Sequence, residues 1–351
     1  MIVLGIETSC DETAAAVVRN GCDTLSNVVF SQAARHAPFG GVVPDIAARC
    51  HVETLPDVIE QAVRESGVEW DALDTVAATY GPGLSSSLLI GVSAAKGLAL
   101  RLGKPFCAIN HLHAHLYSPF MSAGPAAFER ACPFVALIVS GGHTVLVHVS
   151  GLGRYRVLGR TLDDAAGEAL DKAAMLLGLG YPGGPVVQRA GEGGDARRIR
   201  FPRARPGADN PFLKGLRADC SFSFSGLKTA LLYYMKEHPF ANEADRADRL
   251  PSIAASYQEA VVAALVDRCD RALGPDATAL ACGGGVSLNA RLRAALTGLA
   301  RKKSVPLYLA EPAYCGDNAA MVAALAGVGQ GRRGPETMDL DANPVLDVSE
   351  F

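Results

Sequence analysis

No two of the nine cysteines stand as C-x-x-C, and their number is odd. Neither a zinc ribbon nor a closed disulfide frame is implied, and reduced thiols in a cytoplasmic setting are the expectation. The first residues, Met-Ile-Val-Leu-Gly-Ile-Glu, lack a basic stretch and meet acids early, which argues against a secretory signal. No uninterrupted apolar run approaches the roughly 20 residues that a membrane helix needs. Positive charge is also short: 33 Lys and Arg against 36 Asp and Glu give a net charge of −3. A global cationic field that would draw nucleic acid is therefore excluded, and any such contact rests on a local patch or a partner. The phosphate loop G-x-x-x-x-G-K-[ST] is missing as well.

What is present reads as an α/β protein. At 351 residues, with 49% hydrophobic and 20% charged residues, the chain suits two domains with sizeable cores. It centres on Asn110-His111-Leu112-His113-Ala114-His115-Leu116, which follows an apolar, strand-like run and should open a helix. Positions four apart share one helix face, so His111 and His115 project together while His113 points elsewhere. Two imidazoles so spaced hold a metal if a third ligand arrives from another part of the fold. A zinc protease would need Glu directly after the first His. That position is Leu112, so a protease of that type is excluded. A His-rich surface helix remains the competing reading.

Two hairpin patterns flank this segment. Ile2–Ile6 runs into Glu7-Thr8-Ser9-Cys10-Asp11-Glu12-Thr13 and returns as Ala14–Val18; Pro133–Ser140 runs into Gly141-Gly142-His143-Thr144 and returns as Val145–Val149. Each is an apolar strand, a polar tip and a second apolar strand. The repetition suggests two lobes of like topology whose tips face one cleft. Gly141 and Gly142 permit close backbone approach to a phosphate, although a bare turn explains glycine equally. Helices are expected from Pro44, up to about Leu102, at Ser225–Lys236, at Ile253–Leu273 and after Asp317. A further helix should carry Asp163 and Asp164 in its first turn, with Asp171 one turn inside. Tyr181-Pro182-Gly183-Gly184-Pro185 reads as a rigid turn. Gly283-Gly284-Gly285, between a strand and a helix opening near Asn289, has the geometry of a nucleotide-binding turn. Asp317 sits at a strand-to-helix turn from which a third ligand can enter. From Arg189 to Arg217 the chain carries eight basic and three acidic residues, densest at Arg197, Arg198, Arg200, Arg203 and Arg205. This is a basic patch or a solvated insert.

Taken together, GIETSCDET, NHLHAH, IVSGGHT, GGGVSLNARL and CGDN closely resemble the bacterial TsaD family, the tRNA adenosine threonylcarbamoyltransferases. DDAAGEALDK, YPGGP and SFSFSGLKT match too, so the resemblance covers nearly the whole chain. It implies a duplicated actin-like ATPase fold around a nucleotide cleft, with one lobe at 1–131 and the other at 132–316, and a helix at 317–331 packing back on the first. It implies transfer of the threonylcarbamoyl group of threonylcarbamoyl-adenylate to the adenosine 3′ of the anticodon in tRNAs reading ANN codons, with release of AMP. By motif match His111, His115 and Asp317 hold a metal, iron first and zinc second. Ile138, Val139, Ser140, Gly141, Gly142, Asp171, Gly184 and Asn289 match the adenylate-binding positions. The adenine amine is a poor nucleophile, so Asp11 or Glu12 is the candidate to accept its proton. The expected partners, besides tRNA, are a TsaB-like paralogue and a TsaE-like P-loop ATPase. The competing enzyme class is a small-molecule kinase of the same fold, which would not require the His pair.

Overall fold

The structure is a computed structural model that describes residues 1–202, 206–207 and 209–350. The chain forms two units: Met1–Cys132 with Val149–Arg156 and Tyr308–Phe351, and Pro133–His148 with Val157–Leu307. Against the expected division at 131/132 and 316/317, the return to the first unit falls at Tyr308, and a short piece near 150 joins that unit as well.

The first sheet contains β1 (Ile2–Glu7), β2 (Glu12–Arg19), β3 (Asp23–Ser31), β4 (Thr75–Gly81) and β5 (Phe106–Asn110), in the order β3-β2-β1-β4-β5. β1–β2 and β2–β3 are antiparallel, whereas β1–β4 and β4–β5 are parallel. The second sheet contains β6 (Phe134–Val139), β7 (Thr144–Gly151), β8 (Arg154–Arg160), β9 (Ala279–Gly283) and β10 (Leu307–Leu309), in the order β10-β9-β6-β7-β8, with β6 and β9 parallel. Read from the hairpin edge, both sheets run third, second, first, fourth, fifth. The repeated strand–tip–strand pattern in the sequence is therefore a repeated topology.

β1 decides what the first unit can hold. Strand residues alternate between faces. Leu4 and Ile6 join the core formed with Leu55, Ile59 and Val92. Val3, Gly5 and Glu7 take the other face, which receives the wholly apolar helix Ala319–Gly327. Gly5 is required for that approach, because a Cβ there would lie 2.5 Å from Ala319 O and 2.8 Å from Ala323 N. Glu7 thus ends a buried strand on the face to which the chain returns just past Asp317.

Several element boundaries differ from expectation. The last helix is Ala319–Gly327, opened by Asn318, whose side chain accepts from Met321 N at 3.1 Å. The long helix of the second unit runs Glu243–Ala272 and continues through Pro251, so it starts well before Ile253. Its true start is capped by Asn242, which accepts from Asp245 N at 3.0 Å. YPGGP opens a helix, Gly183–Ala190, and is not an isolated turn. Asp163 and Asp164 precede the helix Ala166–Leu176 and are outside its first turn.

Candidate metal centre

Asn110 ends β5 and caps the helix His111–Tyr117, its side chain accepting from Leu112 N at 2.9 Å and His113 N at 3.4 Å. The helix is buried along its length, so its histidines are not a surface feature. His111 and His115 stand edge to face with ring centroids 4.6 Å apart. Asp317 joins them: its Oδ1 lies 3.0 Å from His115 Nε2 and 3.5 Å from His111 Nε2. One ligand atom from each of the three residues falls within 4.8 Å of the others. His113 turns away, as a residue two positions from each must on a helix, and its Nε2 donates to Val348 O at 2.7 Å.

The other nitrogen of His111 is also engaged. Its Nδ1 lies 3.0 Å from Glu7 Oε2 and 3.3 Å from Ser9 Oγ. Glu7 is fully buried and accepts from Ser9 N at 2.6 Å and Thr79 Oγ1 at 2.6 Å. A carboxylate on Nδ1 fixes the ring and leaves Nε2 to face the two other ligands, the arrangement that metal-bound histidines favour. Burial by itself would push His111 down, but the charges of Asp317 and Glu7 outweigh it and hold the imidazole at about 9. The ring thus faces a carboxylate on each side, Glu7 3.0 Å from Nδ1 and Asp317 3.5 Å from Nε2. For His115, burial wins and the ring is shifted downwards, toward the neutral form that ligates. Its Nδ1 is buried without a hydrogen-bond partner among the described residues.

Asp11 and Glu12 are in the same unit, at the β1–β2 tip, with Asp11 9% exposed. Burial first, then the neighbouring Asp11 and Asp317 charges, raise the Glu12 carboxyl well above the usual carboxylate range. The same influences raise the Cys10 thiol, so it is not an activated nucleophile. The tip and Asp317 are thus coupled electrostatically although they lie at opposite ends of the chain.

The remaining predicted positions gather in the second unit. Ile138 pairs with Gly283 across β6 and β9. Gly284 must be glycine, since at φ +93 a Cβ would sit 2.4 Å from Val139 O. Ser140 closes its own tip, its N donating to His143 O at 2.8 Å and its Oγ accepting from His143 N at 3.1 Å. Gly141 and Gly142 have open space where a Cβ would be, so the tip can present its backbone to a ligand. Asp171 Oδ1 accepts from Gly183 N at 2.6 Å, and Gly184 follows directly. Asn289 caps the helix Ala290–Lys303, accepting from Leu292 N at 3.0 Å and donating to Gln258 Oε1 at 2.7 Å. Asp171 and Asn289 therefore shape the turns around the tip as well as being candidates for ligand contact.

The profile of the family described as TsaD, tRNA N6-adenosine threonylcarbamoyltransferase, matches residues 23–324. The chain belongs to the TsaD family. A relative of that same description from Trichlorobacter lovleyi is 48% identical over 324 residues, covering 92% of this chain and 90% of the relative. One from Anaeromyxobacter sp. (strain Fw109-5) is 48% identical over 349 residues, covering 98% and 99%. Among solved structures, T. kodakarensis HypF aligns with a TM-score of 0.59 at 13% identity, covering 93% of this chain and 47% of that one. Component A of (R)-2-hydroxyglutaryl-CoA dehydratase from Acidaminococcus fermentans aligns at 0.52 and 14%, covering 93% and 98%. Such distant likeness speaks to fold alone, and the fold is the duplicated actin-like α/β architecture.

Two features of this TsaD chain are not legible in its sequence. Glu7 looks like one more polar residue of the N-terminal tip; only its place at the end of an otherwise apolar strand singles it out. Asp163 is more than a helix-end acid. It accepts from Ser223 Oγ at 2.6 Å, Phe224 N at 2.7 Å, Ser225 N at 3.2 Å and Ser225 Oγ at 2.8 Å, and so caps the helix Ser225–Glu237 from outside. Burial alone would raise this carboxyl, but these bonds prevail and lower it. Its contribution to stability is therefore present above the unfolded carboxylate pKa and fades as the pH falls through the lowered folded value. Asp163→Ala should cost about 1–2 kcal/mol, the range for a lost cap, moderated by solvent screening. Denaturant unfolding at neutral and at acidic pH checks this, and the gap between the two proteins should narrow in acid.

Proposed function

We propose that this chain transfers the threonylcarbamoyl group of threonylcarbamoyl-adenylate to the exocyclic amine of the adenosine 3′ of the anticodon in tRNAs reading ANN codons. The adenine nitrogen forms a bond to the carbamoyl carbon, the bond from that carbon to the phosphate oxygen breaks, AMP leaves with the electron pair, and the amine proton passes to a carboxylate. The observation that carries this reading is the convergence of His111, His115 and Asp317 on one point, backed by Glu7, in a chain of the TsaD family.

Two imidazoles and a carboxylate with a carboxylate-backed histidine suit a divalent metal, iron first and zinc second, and leave coordination positions open. When bound there, such a metal supplies Lewis acidity to substrate oxygens. The chain's own groups do the rest. Ile138 to Gly142, Asp171, Gly184 and Asn289 are assigned to holding the adenylate, and backbone amides at the Gly141-Gly142 tip to stabilising negative charge that grows on it. Asp11 is assigned the amine proton, with Glu12 beside it as the second candidate.

The tRNA needs cations that the overall charge does not provide. Arg197, Arg198 and Arg200 are exposed, and among the described residues none of them forms an ion pair. Arg203 and Arg205, the rest of the dense cluster, lie outside the described residues. Replacing Arg197, Arg198 and Arg200 with Ala should weaken tRNA binding and flatten its log–log salt dependence by about 0.7–0.9 for each arginine that had paired with a phosphate. Adenylate affinity should be unchanged. Titration across a salt series, with partner proteins present, measures both. A TsaB-like paralogue and a TsaE-like P-loop ATPase are the proposed partners, and the cytoplasm, where tRNA is found, is the proposed location. No described helix is long and apolar enough to cross a membrane.

The functional test is mass spectrometry of nucleosides in tRNA from cells depleted of this chain. Threonylcarbamoyladenosine should disappear and return with the wild-type gene; unchanged levels would refute the proposal.

A further inference from the structure

Behind the Cys10–Glu12 tip is a set of buried polar side chains to which the roles assigned above give no part. His51 is on the helix Pro44–Ser66, Thr13 on β2, Gln32 just beyond β3, and His36 on the short helix Ala33–His36. All four are 0% exposed. Their shortest hydrogen bonds fix the ring tautomers. His51 Nε2 is 3.0 Å from Cys10 O, and a carbonyl only accepts, so Nε2 carries the proton. Nδ1 must then accept, and Thr13 Oγ1 donates to it at 2.7 Å. The same logic applies to His36: Val43 N donates to its Nδ1 at 3.3 Å, so its Nε2 donates to Gln32 Oε1 at 3.2 Å. The Gln32 amide nitrogen is 3.3 Å from His51 Nδ1 and 3.4 Å from Ala47 O, and the Gln32 backbone N donates to Asp11 O at 3.1 Å.

Buried polar groups are tolerated where every member is paired, and a fully paired network fixes one geometry. This network terminates on two consecutive backbone carbonyls, those of Cys10 and Asp11, in the segment that carries the acids. Burial also lowers the His51 pKa, in keeping with the neutral ring that the bonding requires. We propose that His51 is a positioning residue for the transfer, holding the Cys10–Asp11 backbone so that the carboxyls of Asp11 and Glu12 keep their direction. This rests on the reading of those two acids as reacting groups.

The experiment is single-turnover and steady-state transfer to tRNA by the full chain with its partners. His51→Ala should lower kcat by about 10²-fold, the scale of a small misplacement. The KM for the adenylate and the metal per chain should stay within about threefold of wild type, as expected when only the reaction step is affected. In His51→Gln the amide N–H reaches the place of Nε2–H, and kcat should recover to within about tenfold of wild type. Should His51→Ala fail to fold, Thr13→Val removes the O–H on Nδ1 at little change of volume, and should lower kcat about fivefold with KM held. Wild-type kcat in His51→Ala, or a Gln variant as slow as the Ala variant with both melting early, would overturn the proposal in favour of packing alone. Asp11→Asn and Glu12→Gln separate the two claims. If both turn over normally, the acid reading fails; if they are slow and His51→Ala is fast, only the positioning role fails.

Discussion

Asp317→Ala is expected to strip the metal from the protein and reduce transfer by at least about 10²-fold, more than the 10–100-fold typical of losing an outer partner of a ligand. Asp317 is the variant to read because its side chain is 16% exposed and sits in a bend between two helices, so its removal leaves the core intact. His111→Ala should lose metal equally, but it also strands the Glu7 carboxylate, which is fully buried. Leaving a buried charge without its partner costs about 3–5 kcal/mol, so that variant should melt early as well. Glu7→Gln keeps both imidazoles and the shape of the site, and its metal affinity should fall by about 10–100-fold, the effect of removing a carboxylate from a ligating histidine. Elemental analysis with thermal unfolding resolves the three. Stoichiometric metal in a His111→Ala/His115→Ala protein would remove this centre from consideration.

The second large effect is at the acid tip. Asp11→Ala should bind adenylate as wild type does and lose transfer by about 10²–10⁴-fold, the contribution of a positioned base. Glu12→Ala is the companion variant, read in the same assay. Burial, then the Asp11 and Asp317 charges, raise the Glu12 carboxyl well above the usual carboxylate range. Because the defect lies in the reaction step, kcat falls while adenylate affinity holds. Single-turnover rates near wild type in both variants would show that neither carboxylate takes part.

Much of this is visible in the residues, for reasons that can be named. Helical periodicity at i and i+4 is local, so the His111–His115 pair reads directly, and so does the repeated strand–tip–strand pattern that becomes two sheets of the same strand order. What stays hidden depends on distant contacts. Glu7 meets His111 across 104 positions and Asp163 meets Ser223 across 60; no spacing rule links such pairs. The start of the long helix is obscured because Pro251 is a local stop signal, whereas the Asn242 cap and packing on its neighbours carry the helix through it. The His36–Gln32–His51 network is silent in the sequence because each residue alone looks like an ordinary polar residue, and only burial shows that they need one another.

The most direct measurement uses the purified chain with its partners, threonylcarbamoyl-adenylate labelled in the threonine, and an unmodified ANN-reading tRNA transcript. Digestion of that tRNA should yield labelled threonylcarbamoyladenosine, with one AMP released for each nucleoside formed, and at least about 10²-fold less with Asp317→Ala. Unlabelled tRNA alongside phosphorylation of a small molecule from ATP would contradict this function and indicate a kinase of the same fold.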